Sequence, residues 1–297
     1  MLTPPARYRE VTRDDFDDGW EPLDSDLPRL VTTVTEEHAK IIISRNQSPD
    51  IPFDRSINPY RRCEHGCVYC YARPAHAYLD LSPGLDFESR LFAKVNAASL
   101  LHHELSKPGY RCASIALSAN MDAYQPIERK LKITRALLGI RADTQHPYTI
   151  VTKAMLIARD IDLLAGMATK SLASVLVLIT ILDHDLARRM EPRATAPRRR
   201  LKTIRRLHEA GIPAGVIVAP VIAGLNQHEL EAVAVAAAAV AAGATFAGYV
   251  LLRLPREHGP MFKAWLEQHY RLKAAKIMSL VRAQRGDKAY ESDFLGG

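Results

Sequence analysis

Arg62-Cys63-Glu64-His65-Gly66-Cys67-Val68-Tyr69-Cys70-Tyr71 holds three of the chain's four cysteines in a C-x3-C-x2-C run. Thiolates are soft ligands that suit zinc and iron–sulfur clusters. A tetrahedral zinc site takes four ligands, often from two C-x2-C-like pairs. The fourth cysteine, Cys112, is far along the chain, so zinc would have to recruit His65 beside Cys63, Cys67 and Cys70. A four-iron cluster suits the run better. Three thiolates hold three irons and leave the fourth open to a substrate or cofactor, whereas a fully ligated cluster mainly carries electrons.

Upstream of this loop, Ile41-Ile42-Ile43 reads as a short strand, followed by loops carrying Pro49, Pro52 and Pro59. Downstream, strand-like and helix-like segments alternate. Strands are predicted at 90–95, 113–117, 148–151, 175–181, 216–221 and 246–252. Helices are predicted at 97–105, from Pro126, at 155–164, from Pro197 to His208, at 228–242, and from Pro260 to Arg285. Pro126 and Pro197 suit a first helical position, and Gly211 and Gly243 suit helix ends. Such alternation implies right-handed βαβ units and a parallel sheet. Apolar, non-alternating strands fit a sheet covered on both faces or a barrel. About six units are readable, short of the eight of a closed barrel.

The 297 residues suffice for one large α/β domain. No stretch approaches the ~20 apolar residues needed to span a bilayer. Met1–Asp18 is acidic and lacks the apolar core of a signal sequence. Four cysteines, three of them clustered, do not make a disulfide framework, so the expected location is cytoplasmic. Three regions are expected: an acidic, partly disordered extension over 1–40, a core over 41–255 with the cluster loop at 63–70, and a C-terminal helical extension over 256–297. The net charge of +7 hides an asymmetry: residues 1–40 carry ten acids and five Lys/Arg, and the remainder carries +12. The basic runs Arg193–Arg206 and Arg271–Lys288 can track phosphates, or simply coat solvated helices.

The cysteine run, with Tyr69 just before Cys70, resembles the signature of the radical S-adenosylmethionine (radical SAM) superfamily. Ser56-Ile57-Asn58-Pro59-Tyr60 before it and Asp122-x-Tyr124-Gln125-Pro126-x-Glu128 after it resemble a bacterial branch related to spore photoproduct lyase, over about residues 41–255. The resemblance implies an incomplete (β/α)6 barrel with its chemistry at the C-terminal strand ends. It implies a [4Fe–4S] cluster on Cys63, Cys67 and Cys70, and S-adenosylmethionine bound at the open iron. A reducing donor such as flavodoxin or ferredoxin would start cleavage to a 5′-deoxyadenosyl radical that abstracts hydrogen from a substrate, with nucleic acid the candidate class.

Carried onto the strand ends, the resemblance offers Ser118, Asn120 and Asp122 to the methionine ammonium group. The superfamily's Gly-Gly-Glu-like turn is absent here, so these are matched by position alone, and Asn120 and Asp122 also suit a turn or helix cap. Lys153 suits the methionine carboxylate. Thr180 ends the next strand, and Arg193 suits a carboxylate, a ribose or a phosphate, or merely flanks a helix. Backbone near Tyr69 would meet adenine, while the rings of Tyr69 and Tyr71 can also pack the loop. His65 is expected at the surface or shielding the cluster. The lyase's hydrogen-donor cysteine has one counterpart candidate, Cys112, which stands at the wrong end of its strand; burial is the commoner state of a lone thiol. Tyr124 is the other candidate donor. The competing function is a nucleic-acid-binding protein with a structural zinc or inert iron–sulfur site, and a redox sensor or electron carrier is the third.

Overall fold

The computed structural model describes Asp18 and residues 31–46, 53–73, 82–226, 229–255 and 258–284. The acidic lead-in, apart from Asp18 and its last ten residues, lies outside these, as does everything from Arg285 onward. Before the cysteine loop come β1 (Thr33–Glu37), β2 (Ile43–Arg45), β3 (Arg55–Ile57) and β4 (Tyr60–Arg61). After it come α1 (Asp86–Ser89), β5 (Arg90–Lys94), α2 (Ala97–Leu105), β6 (Ile115–Leu117), α3 (Glu128–Leu131) and α4 (Ile133–Thr144). Next are β7 (Tyr148–Thr152), a 3-10 turn at Met155–Asp160, α5 (Ile161–Ala168), β8 (Ala173–Leu178), α6 (His184–Met190) and α7 (Pro197–Glu209). The chain continues with β9 (Ala214–Val221), α8 (Glu229–Ala241), β10 (Phe246–Leu251), α9 (His258–His269) and α10 (Ala274–Ala283).

The α/β expectation holds, with two sheets. The larger has the order β10-β9-β8-β7-β6-β3-β2. Its pairs from β3 to β10 are all parallel, and β2 joins β3 antiparallel at one edge. The smaller has the order β1-β5-β4, so the Arg90–Lys94 strand leaves the main series. β1 itself lay within the stretch read as an irregular lead-in.

Three helix expectations are corrected. The helix after Pro126 breaks at Lys132, whose φ of 53° is left-handed, because the buried Glu128 carboxylate accepts Thr134 N–H and Arg135 N–H and starts α4 afresh. The 155–164 helix begins as a 3-10 turn, where Met155 N–H is taken by Thr195 Oγ1. The C-terminal helix is two helices, because the chain turns at Tyr270–Lys273 so that both arms bury apolar faces. α6 was not foreseen; Asp183 caps it by accepting Leu186 N–H at 2.6 Å. β10 lies at the edge of the large sheet, and its Phe246 and Tyr249 are exposed.

The main core fills the space between the large sheet and its helices, with Ile115, Leu117, Ile150, Val175, Val177 and Val216 at its centre. A second core is decisive for function. Cys67, Val68 and Tyr69 pack with Met190, Ile222 and Leu254, and with Phe262, Trp265, Ile277 and Met278 of α9 and α10. The C-terminal helix pair thus sits on the cysteine loop.

Candidate active site

The cysteine loop rests on residues that directly follow parallel strands. After β6, Asp122 is buried, and its Oδ1 accepts Tyr124 N–H at 2.9 Å and the Thr152 hydroxyl at 2.8 Å. Its Oδ2 accepts Lys153 N–H at 2.7 Å and faces His65 Nδ1 at 3.5 Å. One carboxylate therefore ties the ends of β6 and β7 to the loop. After β8, Thr180 Oγ1 lies 2.9 Å from the Tyr69 hydroxyl and 2.6 Å from Glu191 Oε1. Tyr69 also donates to Glu191, and Arg200 of α7 closes the group on the other carboxylate oxygen. Lys153 Nζ stands 5.6 Å from the centroid of the Tyr69 ring, a cation over an aromatic face beside the loop.

The two flanking motifs explain each other. Asn58 Oδ1 accepts the N–H groups of Ala119 and Asn120, at 3.0 and 3.2 Å, and so holds the turn after β6. Tyr60 donates to Glu128. Gln125 brackets Cys63: its Oε1 accepts Glu64 N–H at 2.8 Å, and its Nε2 donates to the Arg62 carbonyl at 3.1 Å. Ser118 and Arg62 adopt left-handed φ values of 78° and 73°, a strained conformation for residues with a Cβ. Ser118 Oγ accepts Ala123 N–H at 2.9 Å, which helps hold that turn.

Below the loop, Arg73 donates twice to the Cys67 carbonyl and pairs with Glu88 at 2.6 Å. Arg193 shares Glu88 at 3.1 Å, and its backbone N–H meets the His65 carbonyl at 3.2 Å. Arg193 is thus a buried brace of the loop. The Tyr71 ring is half-exposed, and its hydroxyl donates to the Ala119 carbonyl, so it joins the loop to the β6 turn. Asn120 is exposed at the tip of that turn.

Electrostatics at the loop follow from burial. Desolvation pushes the Cys67 thiol up to about 12, opposed by the nearby Lys153 ammonium. Burial likewise raises Cys63 well above the ordinary thiol range, reinforced by Asp122 and by the other two cysteines. His65, expected at the surface or shielding the cluster, is only 3 % exposed; burial lowers it to about 4 against the pull of Asp122. The loop is compact enough for the three sulfurs to sense one another's charge. All three are free thiols, Cys63 and Cys67 buried and Cys70 partly open. Among the described residues no three His, Cys, Asp or Glu side chains converge on a single-ion site.

The radical SAM superfamily profile matches residues 57–236, from the end of β3 into α8. The chain belongs to the radical SAM superfamily. It is 35% identical over 232 residues to the uncharacterized protein Rv2578c of Mycobacterium tuberculosis, covering 78% of this chain and 68% of that one. It is 30% identical over 171 residues to the uncharacterized protein MJ0683 of Methanocaldococcus jannaschii, covering 57% and 61%. The fold matches spore photoproduct lyase complexed with dinucleoside spore photoproduct at a TM-score of 0.58 and 15% identity. That match covers 80% of this chain and 66% of the lyase chain. The radical SAM chain thus shares its fold with the lyase and spans just under two thirds of the lyase's length.

Of the expected site residues in this radical SAM enzyme, Tyr69, Asp122, Lys153, Thr180 and Arg193 gather around the three cysteines. Cys112 is exposed instead of buried, before β6 and at the end of that strand opposite Ser118. Tyr124 is buried, with Asp160, Glu128 and Tyr148 as the ionisable neighbours of its phenol. Arg193 and Arg200, placed by sequence in a phosphate-tracking or solvated run, are instead buried in ion pairs, and Asn58, Gln125, Glu88 and Glu191 have roles that the sequence reading does not assign. Asn58 and Gln125 stood inside quoted motifs, so their signal was present; Glu88, Glu191 and Arg200 carried none, because their partners lie far away in sequence or in a helix face.

Proposed function

We propose that this radical SAM enzyme holds a [4Fe–4S] cluster on Cys63, Cys67 and Cys70 and acts on a nucleic acid. The observation that carries the cluster is a loop of three free thiols braced against the ends of parallel strands. Three thiolates leave one iron of a four-iron cluster open, whereas a tetrahedral zinc site needs a fourth ligand. When bound, the cluster and S-adenosylmethionine supply a 5′-deoxyadenosyl radical for hydrogen abstraction. The core is then an incomplete (β/α)6 barrel over about 41–255, with a C-terminal extension over 256–297 whose α9 and α10 cover the loop, and 1–40 as an acidic lead-in.

The chain's own residues bind, orient and exclude water. Lys153 offers its ammonium to a carboxylate beside the loop, and Tyr69, clamped by Thr180 and Glu191, holds the loop backbone toward an adenine edge. Asp122 orders the β6 turn, so that Ser118 and Asn120 present the ammonium site. Phe262, Trp265 and Met278 keep water from the Cys67 side. Cys112 is a poor hydrogen donor for this site, and Tyr124 would need an opening in the core. The nucleic-acid class is supported by the +12 charge beyond residue 40, by the exposed Arg271, Lys273, Lys276 and Arg282 on the helix pair over the loop, and by the dinucleoside ligand of the lyase with the same fold. The expected compartment is the cytoplasm; among the described residues no helix is long and apolar enough to cross a membrane.

Anaerobic reconstitution with iron and sulfide, then dithionite and S-adenosylmethionine, should give 5′-deoxyadenosine by mass spectrometry. Cys63→Ala, Cys67→Ala and Cys70→Ala should each abolish it. Undiminished product from any of these variants would defeat the proposal. Added DNA or RNA oligonucleotides should raise the yield if nucleic acid is the substrate.

A further inference from the structure

The exposed side of α7 is a one-sign surface. Arg198, Lys202 and Arg205 fall at helical spacings of four and three and form one stripe, with Arg206 beside them, all exposed. Among the described residues none of the four has an ion pair, and the first three turns of α7 contain no acid. The opposite face of the helix, Arg200, Thr203, Ile204 and Leu207, is buried toward β8 and β9. The stripe therefore points away from the strand ends. A substrate lying on it would not reach the cysteine loop, whose cover is the apolar side of α9 and α10.

The same helix is nevertheless wired to the loop. Arg200, between Arg199 and Leu201 in the first turn, reaches Glu191, and Glu191 is bound by Tyr69, the neighbour of Cys70. Between a partner seated on the start of the stripe and the cysteine loop lie α7 itself and one buried side-chain chain, Arg200–Glu191–Tyr69. Contact with the reacting carbon is not needed by a protein that only delivers an electron.

We propose that the outward stripe of α7 docks the acidic, one-electron donor protein that serves this enzyme. The proposal rests on the cluster assignment above, and its binding arm is independent of it. Charge complementarity selects an acidic protein face and makes the association salt-dependent.

The test uses full-length protein and a flavodoxin as probe. Binding of oxidised flavodoxin to the metal-free protein is measured by calorimetry between 20 and 300 mM salt, for wild type and for R198E/K202E/R205E. We expect at least tenfold weaker binding in the variant at low salt and a wild-type affinity that falls steeply with salt. In reconstituted protein the variant should lose at least tenfold in flavodoxin-driven 5′-deoxyadenosine formation while the dithionite-driven rate stays within twofold. Equal flavodoxin affinity in the two proteins overturns the proposal. So does a variant that keeps its flavodoxin affinity and loses affinity for a 20-mer DNA duplex, which would make the stripe a nucleic-acid face. If dithionite yields no product from wild type, the cluster assignment fails, and the calorimetry still decides the docking. Circular dichroism of the variant guards against misfolding, and the single changes R198E and K202E replace the triple variant if it unfolds.

Discussion

At the scale of single residues, the cysteine loop is held by side chains that bond its backbone. Gln125 is fully buried and bonds the peptide groups on both sides of Cys63. Gln125→Ala leaves the Glu64 N–H without its acceptor, which costs about 1–3 kcal/mol for a buried group. We expect a lower urea midpoint and, in reconstituted protein, less iron per chain, with the far-ultraviolet spectrum retained. Unchanged iron content would show that the bracket does not shape the loop. Arg200 and Glu191 form a buried pair, each about 1 % exposed. Arg200→Met strands the Glu191 carboxylate and should cost about 3–5 kcal/mol. Arg200→Met with Glu191→Gln should recover much of that loss, because the charge left behind is removed as well. Denaturant unfolding of both variants separates a charge effect from a packing effect.

At the scale of elements, α9 and α10 are a lid of fixed packing over the loop. Trp265 is buried between Phe262, at 5.7 Å between ring centroids, and the loop-side core that includes Cys67 and Tyr69. Trp265→Ala should cost about 3–5 kcal/mol as a core truncation. In metal-free protein it should also speed the reaction of Cys67 with a thiol reagent, while the exposed Cys112 keeps its rate and serves as an internal reference. Equal reactivity of Cys67 in both proteins would mean that the helix pair does not shield it. This packing was hard to read beforehand. The strands at 148–152, 173–178 and 214–221 announced themselves through apolar, β-branched runs, and Gly211 and Gly243, at φ of 72° and 96°, marked helix ends. The three cysteines announced the site. What stayed hidden depended on partners distant in sequence. Lys132 breaks a helix because Glu128 caps α4, Arg90–Lys94 pairs with a strand 57 residues upstream, and the last helix bends so that both of its arms bury apolar faces. Periodicity within a window carries none of that information.

At the scale of the whole molecule, three buried imidazoles in different regions set the response to acid. His65 lies in the cysteine loop. His146, 3 % exposed, is held by the Tyr110 hydroxyl at 2.7 Å and the Pro147 carbonyl. His258, fully buried in α9, has no hydrogen-bond partner at either ring nitrogen among the described residues. Burial lowers His65 and His146 to about 4 and His258 to about 3, with Arg73 adding to the last. An unfolded histidine titrates near 6.5. Between that value and the folded one, the unfolded chain binds protons that the native chain refuses. Stability is therefore greatest above pH 6.5 and falls as the pH drops toward 4, by up to about 1.4 kcal/mol per pH unit for each histidine. Metal-free protein should show urea midpoints that decline steeply from pH 6.5 to 4.5 and are flat, as far as these groups are concerned, from 7 to 8. His258 gives the sharpest check, because its ring has no hydrogen-bond partner among the described residues. His258→Leu replaces an unpartnered polar ring with an apolar side chain, so the variant should be at least as stable as wild type at pH 7.5. Its decline toward pH 4.5 should be shallower by the share of one proton. A variant that weakens in acid as steeply as the parent would show that His258 is charged in the native fold, or that it contacts water, and the account of the C-terminal pair as a dry cover over the loop would fall with it.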